Sequence, residues 1–78
     1  MKLREAVGGT IRKIRTEQGL TLREVASRRY IAVGYLSELE RGHKDASSEV
    51  LDNIANALDM TTLELLKEIY EYLEEHNG

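Results

Sequence analysis

The stretch from Leu20 to Gly42 carries start and stop signals for two short helices with room for only a tight turn between them. Thr21 is placed as an N-cap with Glu24 three residues on, which is a capping box, and Leu20 and Val25 stand where a hydrophobic staple would hold that end. Gly42 supplies the stop of the second helix, because glycine takes the left-handed conformation at C′ without penalty. Between these signals the apolar residues fall where two crossing helices need them. Val25 and Ala26 point inward from the first helix, Leu36 and Leu39 from the second, and Ile31 plugs the turn. Ala26 is small where the axes approach most closely. On spacing alone an ordinary helical hairpin fits as well as a helix-turn-helix unit.

The rest of the chain reads as three further helices. Leu3, Val7, Ile11 and Ile14 step by four, four and three, one apolar stripe that ends before Gly19. Gly8 and Gly9 lie inside that stripe, not after a strand, and suit close helix packing or a bend. Ser47 caps a fourth helix with the stripe Val50 or Leu51, Ile54, Ala57 and Leu58, and Asp59 and Met60 break it. A second capping box, Thr61 with Glu64, opens a fifth helix that runs to about Glu75, with Met60 and Leu65 as its staple and Asn77 and Gly78 fraying. The expectation is an all-α, five-helix single domain over residues 1–78, with the paired helices at about 21–29 and 33–41 and the last at about 62–75.

That last helix carries more apolar surface than one core needs. Leu63, Leu65, Leu66, Ile69, Tyr70, Tyr72 and Leu73 span about half its circumference, against the roughly 100° stripe of a helix packed on a single core. We assign Leu63, Leu66, Tyr70 and Leu73 to the chain's own core and Leu65, Ile69 and Tyr72 to a second copy. The alternative is a helix wrapped in its own groove with exposed tyrosines.

Composition excludes several classes. The chain has no cysteine, so disulfides and thiolate metal sites are out. Proline, tryptophan and phenylalanine are also absent, which suits a helix bundle better than a sheet. Charged residues interrupt the first twenty positions and no run is long enough to span a bilayer, so a cytoplasmic protein without a membrane partner is expected. His43 and His76 are the only histidines and lie far apart, too few for a metal site or a catalytic dyad. With no glycine-rich phosphate loop either, neither an enzyme nor a cofactor is expected, and no segment is long enough for a separate small-molecule sensing domain. Net charge is −3, but unevenly spread: residues 1–45 hold ten Lys and Arg against six Asp and Glu, or +4, whereas residues 46–78 hold Lys67 against eight acids, or −7. Such asymmetry orients a protein on a polyanion with its acidic end held away. Residue by residue the cations have blander uses, Arg28 and Arg29 at a helix C-terminus and Arg12 and Lys13 on a solvated face.

From Ile11 to Leu66 the chain resembles the Cro and cI type (lambda repressor-like) helix-turn-helix domain of the prokaryotic XRE family. The matching stretches are Ile11–Arg15, Thr21–Ala26, Leu36–Gly42 and Ile54–Leu58. Within the family it is similar to the ClgR-type regulators through Leu3–Gly8, Gly34–Glu38 and Ala46–Glu49. The resemblance implies a transcription regulator that binds double-stranded DNA sequence-specifically as a homodimer. It places the helix at 33–41 in the major groove over an inverted repeat with half-sites about one turn, roughly 34 Å, apart.

On that reading Val33, Gly34, Ser37 and Glu38 meet base edges. Val33 can touch a thymine methyl, Gly34 permits close approach, Ser37 can donate or accept, and Glu38 can accept from cytosine N4. Glu38 has an equally good alternative as an ion pair with Arg41 or a neighbour. Backbone contacts fall to Arg23, Tyr35, Arg41, His43, Lys44, Ser47 and Ser48, with Arg12 and Arg28 as weaker candidates. The chain departs from the family pattern at three positions. Leu22 replaces a glutamine that commonly contacts phosphate, and Tyr30 stands in the turn where a small residue is usual. Ala32 replaces the serine or threonine cap of the second motif helix, a loss of about 0.5–2 kcal/mol. A turn residue with φ > 0 would be strained as tyrosine. The other function class open to this sequence is an antitoxin-like or adaptor module that binds protein through the fifth helix and its acidic surface.

Overall fold

The computed structural model describes residues 1–76, which form α1 (Leu3–Glu17), α2 (Leu22–Arg28), α3 (Val33–Glu40), α4 (Ser48–Ala57) and α5 (Thr62–His76). There is no strand among the described residues. The expected fraying of Asn77 and Gly78 lies outside the described residues.

Local chemistry fixes the ends of these helices. The Thr21 hydroxyl accepts the Glu24 N–H at 3.1 Å while the Glu24 carboxylate accepts the Thr21 N–H at 2.9 Å. Thr61 and Glu64 repeat the exchange at 3.1 and 2.8 Å ahead of α5. Each box satisfies two N–H groups that a helix start leaves without partners. Ser47 caps α4 by accepting the Val50 N–H, whereas Ala32 gives α3 no side-chain cap. At the C-termini one motif recurs four times. A residue with positive φ follows the cap, and the next N–H donates five residues back: Leu20 to Arg15 O, Ile31 to Ala26 O, His43 to Glu38 O and Met60 to Ala55 O, at 2.8–3.0 Å.

The core gathers on the motif pair. Val25, Ala26, Leu36 and Leu39 are buried together with Ile11, Ile54, Leu58 and Leu65, and Ile31 packs half-buried against them. α3 lies between α1 and α2, while α5 packs on α1 and α4. Gly8 is what lets α1 and α3 touch, since a β-carbon there would collide with the Leu39 and Glu40 carbonyls; at Gly9 it would run into the Tyr72 ring. The motif is further clamped by an ion pair that joins residues 25 apart. Arg15 donates from Nε and Nη2 to the two carboxylate oxygens of Glu40 at 2.7 and 2.9 Å, and from Nη1 to the Leu20 carbonyl at 2.8 Å. These side chains are only 12% and 6% exposed, and hydrogen bonding to Glu40 raises the Arg15 pKa.

Two expectations about packing are corrected. Leu3 is exposed, because the first turn of α1 projects past the neighbours that cover Val7, Ile11 and Ile14. On α5 the two faces are exchanged, except that Leu73 packs half-buried against the core as expected. Leu65 and Ile69, expected on a partner, are 0% and 4% exposed in the chain's own core, whereas Leu63, Leu66 and Tyr70, expected inside, are 61%, 46% and 61% exposed. With apolar residues around half the helix, periodicity does not choose the phase. The tight break at Asp59–Met60 does, together with a hydrogen bond from the Thr62 hydroxyl to Asp52 that fixes the start of α5 against α4. Tyr72 is half-buried on the same inward side, lies over Gly9 and stacks on His76 with centroids 4.0 Å apart. His76 thus lies within α5.

Candidate nucleic-acid interface

The outer face of α3 and the loop after it form one linked polar surface. Glu38 is 35% exposed and both its oxygens are engaged, Oε1 with Arg41 Nη2 and Oε2 with His43 Nδ1, each at 3.1 Å. The same Arg41 nitrogen donates to the Ser37 hydroxyl at 3.1 Å. Ser37, Glu38, Arg41 and His43 therefore constitute a network, which extends the Glu38–Arg41 pair open to the sequence to Ser37 and His43. Its Arg41 guanidinium offsets the carboxylate charge that phosphates would otherwise repel. The ion pair considered for Glu38 is present, and a carboxylate with four acceptor sites retains capacity for a further donor.

The remaining candidates fall into three groups. Gly34 is exposed and a β-carbon there would meet nothing within 4 Å, so the fold does not require a glycine at that position. Val33 is half-buried against the core, which leaves only part of its side chain for an external contact. Tyr35, expected on phosphate or sugar, donates its hydroxyl to the Asp45 carbonyl at 3.0 Å, and Arg4 pairs with the Asp45 carboxylate at 3.1 Å. Tyr35 and Arg4 thereby hold the α3–α4 loop, on which Lys44 is exposed. Ser47 uses its hydroxyl oxygen as a cap, and Ser48 is exposed in the first turn of α4.

Of the cations outside α3, Arg23 is exposed on the first turn of α2. Arg12 joins Leu22, Ser37 and Arg41 around a shallow groove of about 280 Å³ between α1 and α3, so the weaker candidate stands beside the network. Arg28 does not: its guanidinium donates to the Ala57 carbonyl at 2.7 Å and, with Gln18 on the Leu58 carbonyl at 2.9 Å, satisfies the C-terminus of α4. The clamp that sequence reasoning missed is Arg15–Glu40, which positions α3 on α1. Its partners are separated by 25 residues and neither carries a local signal.

This order of helices, with a short second and third helix joined through a buried Ala26 and a plugged turn, agrees with a match of the helix-turn-helix family to residues 11–66. The chain belongs to the helix-turn-helix family. Over 58 residues it is 50% identical to the transcriptional regulator ClgR of Mycobacterium tuberculosis, a match covering 74% of this chain and 52% of that protein. The chain thus spans about half the length of that relative. It is also 38% identical over 66 residues to the uncharacterized HTH-type transcriptional regulator y4dJ of Sinorhizobium fredii, covering 85% and 86% of the two chains. Among solved structures, the clp gene regulator ClgR from Corynebacterium glutamicum superimposes with a TM-score of 0.91 at 40% identity, over 99% of this chain and 82% of that one. Within this helix-turn-helix fold, Gly8 and the Arg15–Glu40 pair fix α3 against α1. No helix among the described residues is long and apolar enough to cross a membrane.

Proposed function

We propose that the protein is a sequence-specific DNA-binding transcription regulator that acts as a homodimer on an inverted repeat, with α3 in the major groove. The observation that carries this reading is the Ser37–Glu38–Arg41–His43 network. It is a preorganised set of donors and acceptors on the exposed face of a helix whose other face is locked into the core. Gly34 gives α3 a smooth surface toward the bases, Ser37 and Glu38 read their edges, and the exposed part of Val33 meets a thymine methyl. Arg23, Arg12, Arg41 and Lys44, with the N-terminus of α4 at Ser47 and Ser48, hold the phosphates on either side and set the register.

The second copy docks on the exposed stripe of α5. Leu63, Leu66 and Tyr70 recur at three and four residues on one face, and Lys67 and Glu74 flank them with opposite charge. An isologous pairing of that stripe buries apolar surface that otherwise faces water and lets Lys67 of one copy meet an acid of the other.

Selection from a random library of roughly 30-base-pair duplexes tests the reading. Enrichment of an inverted repeat with half-sites about one helical turn apart is expected. Weak, salt-sensitive binding without enrichment would overturn it in favour of a protein-binding module that uses the acidic surface of α5.

A further inference from the structure

α1, α2, α3 and α4 end on the same backbone motif, and the residues at its left-handed position are Gly19, Tyr30, Gly42 and Asp59, with φ of 73°, 55°, 76° and 58°. Glycine occupies that conformation freely, and aspartate is among the few other residues enriched there. Three of the four positions are filled accordingly. Tyr30 is the outlier, and the fold does not compensate for it: the side chain is 99% exposed and neither covers the turn nor packs on the core. A strained residue that gives the monomer nothing in return has its use outside the monomer.

The surroundings indicate the chemistry of what it meets. From Val25 to Ser37 the sequence contains no acid. Arg29 and Ser27 are exposed beside Tyr30, and the first N–H groups of α3, which begins three residues beyond, have no side-chain cap. The adjacent Arg28 is turned away to the Ala57 carbonyl, and Asp59 faces the groove formed with Arg28 and Arg29. A phenol and a guanidinium on a positive turn, next to the end of α3 that enters the groove, suit an anionic sugar–phosphate chain. We propose that Tyr30 is a DNA-backbone contact, its hydroxyl donating to a phosphate and its ring lying on the sugar, with Arg29 adding charge. This rests on the reading of α3 as the recognition helix. At this position the chain gives up stability for binding.

The test compares the full chain with Tyr30→Gly and Tyr30→Phe by thermal unfolding and by titration of two duplexes, the operator selected by the unchanged protein and a random sequence. Tyr30→Gly relieves the backbone and is expected to raise Tm by about 4 °C. It should weaken both duplexes by about tenfold, or about 1.4 kcal/mol, without changing the selected consensus. Tyr30→Phe should leave Tm unchanged and lose part of the affinity; full affinity would overturn the hydroxyl's role. Replacing single operator phosphates by uncharged methylphosphonates should reveal one whose loss weakens the unchanged protein and not Tyr30→Gly. A rise in Tm with unaltered DNA affinity would overturn the proposal and move Tyr30 to a protein-binding surface. A fall in Tm would overturn it by making the residue structural. Failure of the unchanged protein to bind any duplex would instead overturn the underlying reading of α3, an outcome visible before any variant is made.

Discussion

Removing the Glu40 carboxylate should cost this fold more than any surface substitution. Glu40 accepts two guanidinium N–H groups of Arg15 at 2.7 and 2.9 Å, and the two side chains are 12% and 6% exposed. In Glu40→Ala the guanidinium keeps only its bond to the Leu20 carbonyl and stays largely shielded from water. Breaking such a pair from one side costs about 3–5 kcal/mol. Water reaches the rim of the site through the groove shared with Arg12 and Arg41, which places the expectation near the lower end, about 3 kcal/mol. For a domain of this size each kcal/mol moves Tm by about 4–8 °C, so a fall of at least about 12 °C is expected in a calorimetric or circular-dichroism melt. Replacing both partners with methionine should recover most of the loss, because a well-packed apolar pair of similar volume often equals a buried ion pair. A cost below about 1 kcal/mol for Glu40→Ala would refute the argument, since that is the range of a solvated surface pair.

Three further outcomes follow from the same structure. Leu66→Asp, on the exposed stripe of α5, should yield a helical monomer in sedimentation and weaken operator binding; Leu65→Asp, at a buried position, should unfold the chain instead. Gly34→Ala meets open space and replaces a glycine in the first turn of α3, so it should raise stability by up to about 1 kcal/mol in urea titrations while weakening DNA binding through loss of close approach. Acid should loosen the starts of α2 and α5. Glu24 is held below the usual carboxylate pKa first by the Thr21 N–H and then by the Thr21 hydroxyl, and Glu64 in the same way by Thr61. A folded pKa below the unfolded one gives stability that is fully present above about pH 4.3 and is lost as pH falls through the folded value. Glu24→Gln and Glu64→Gln should therefore flatten the acid limb of the stability profile.

Much of the fold was legible in the sequence wherever the signal was local. Thr21–Glu24, Thr61–Glu64, Ser47 and Gly42 set helix ends through contacts three to five residues long, and the structure shows each of them. The inward placement of Val25, Ala26, Leu36 and Leu39 also stands, because a short helix with few apolar residues leaves no choice of face. α5 had the opposite problem. Leu63, Leu65, Leu66, Ile69, Tyr70 and Tyr72 offer two apolar faces, and which one meets α1 depends on how the chain turns at Asp59 and on the flat surface at Gly9. Leu3 fits the stripe of α1 yet stays 63% exposed, a matter of where the other helices stop. In the candidate site only part of the linkage on α3 was visible. Arg41 is three residues from Glu38 on the helix and pairs predictably, whereas His43 reaches Glu38 only because Gly42 turns the chain back. Arg15 and Glu40 meet through tertiary packing alone.

The central claim is that the outer face of α3 reads bases, and duplex selection repeated with Ser37→Ala and, separately, Glu38→Gln tests it most directly. Glutamine in place of glutamate exchanges an acceptor suited to cytosine N4 for a group suited to adenine N6 and N7. The account predicts that Glu38→Gln changes one position in each half-site from cytosine to adenine, and that Ser37→Ala relaxes a neighbouring position, with the repeat spacing preserved. An unchanged consensus from both variants at undiminished affinity would contradict it.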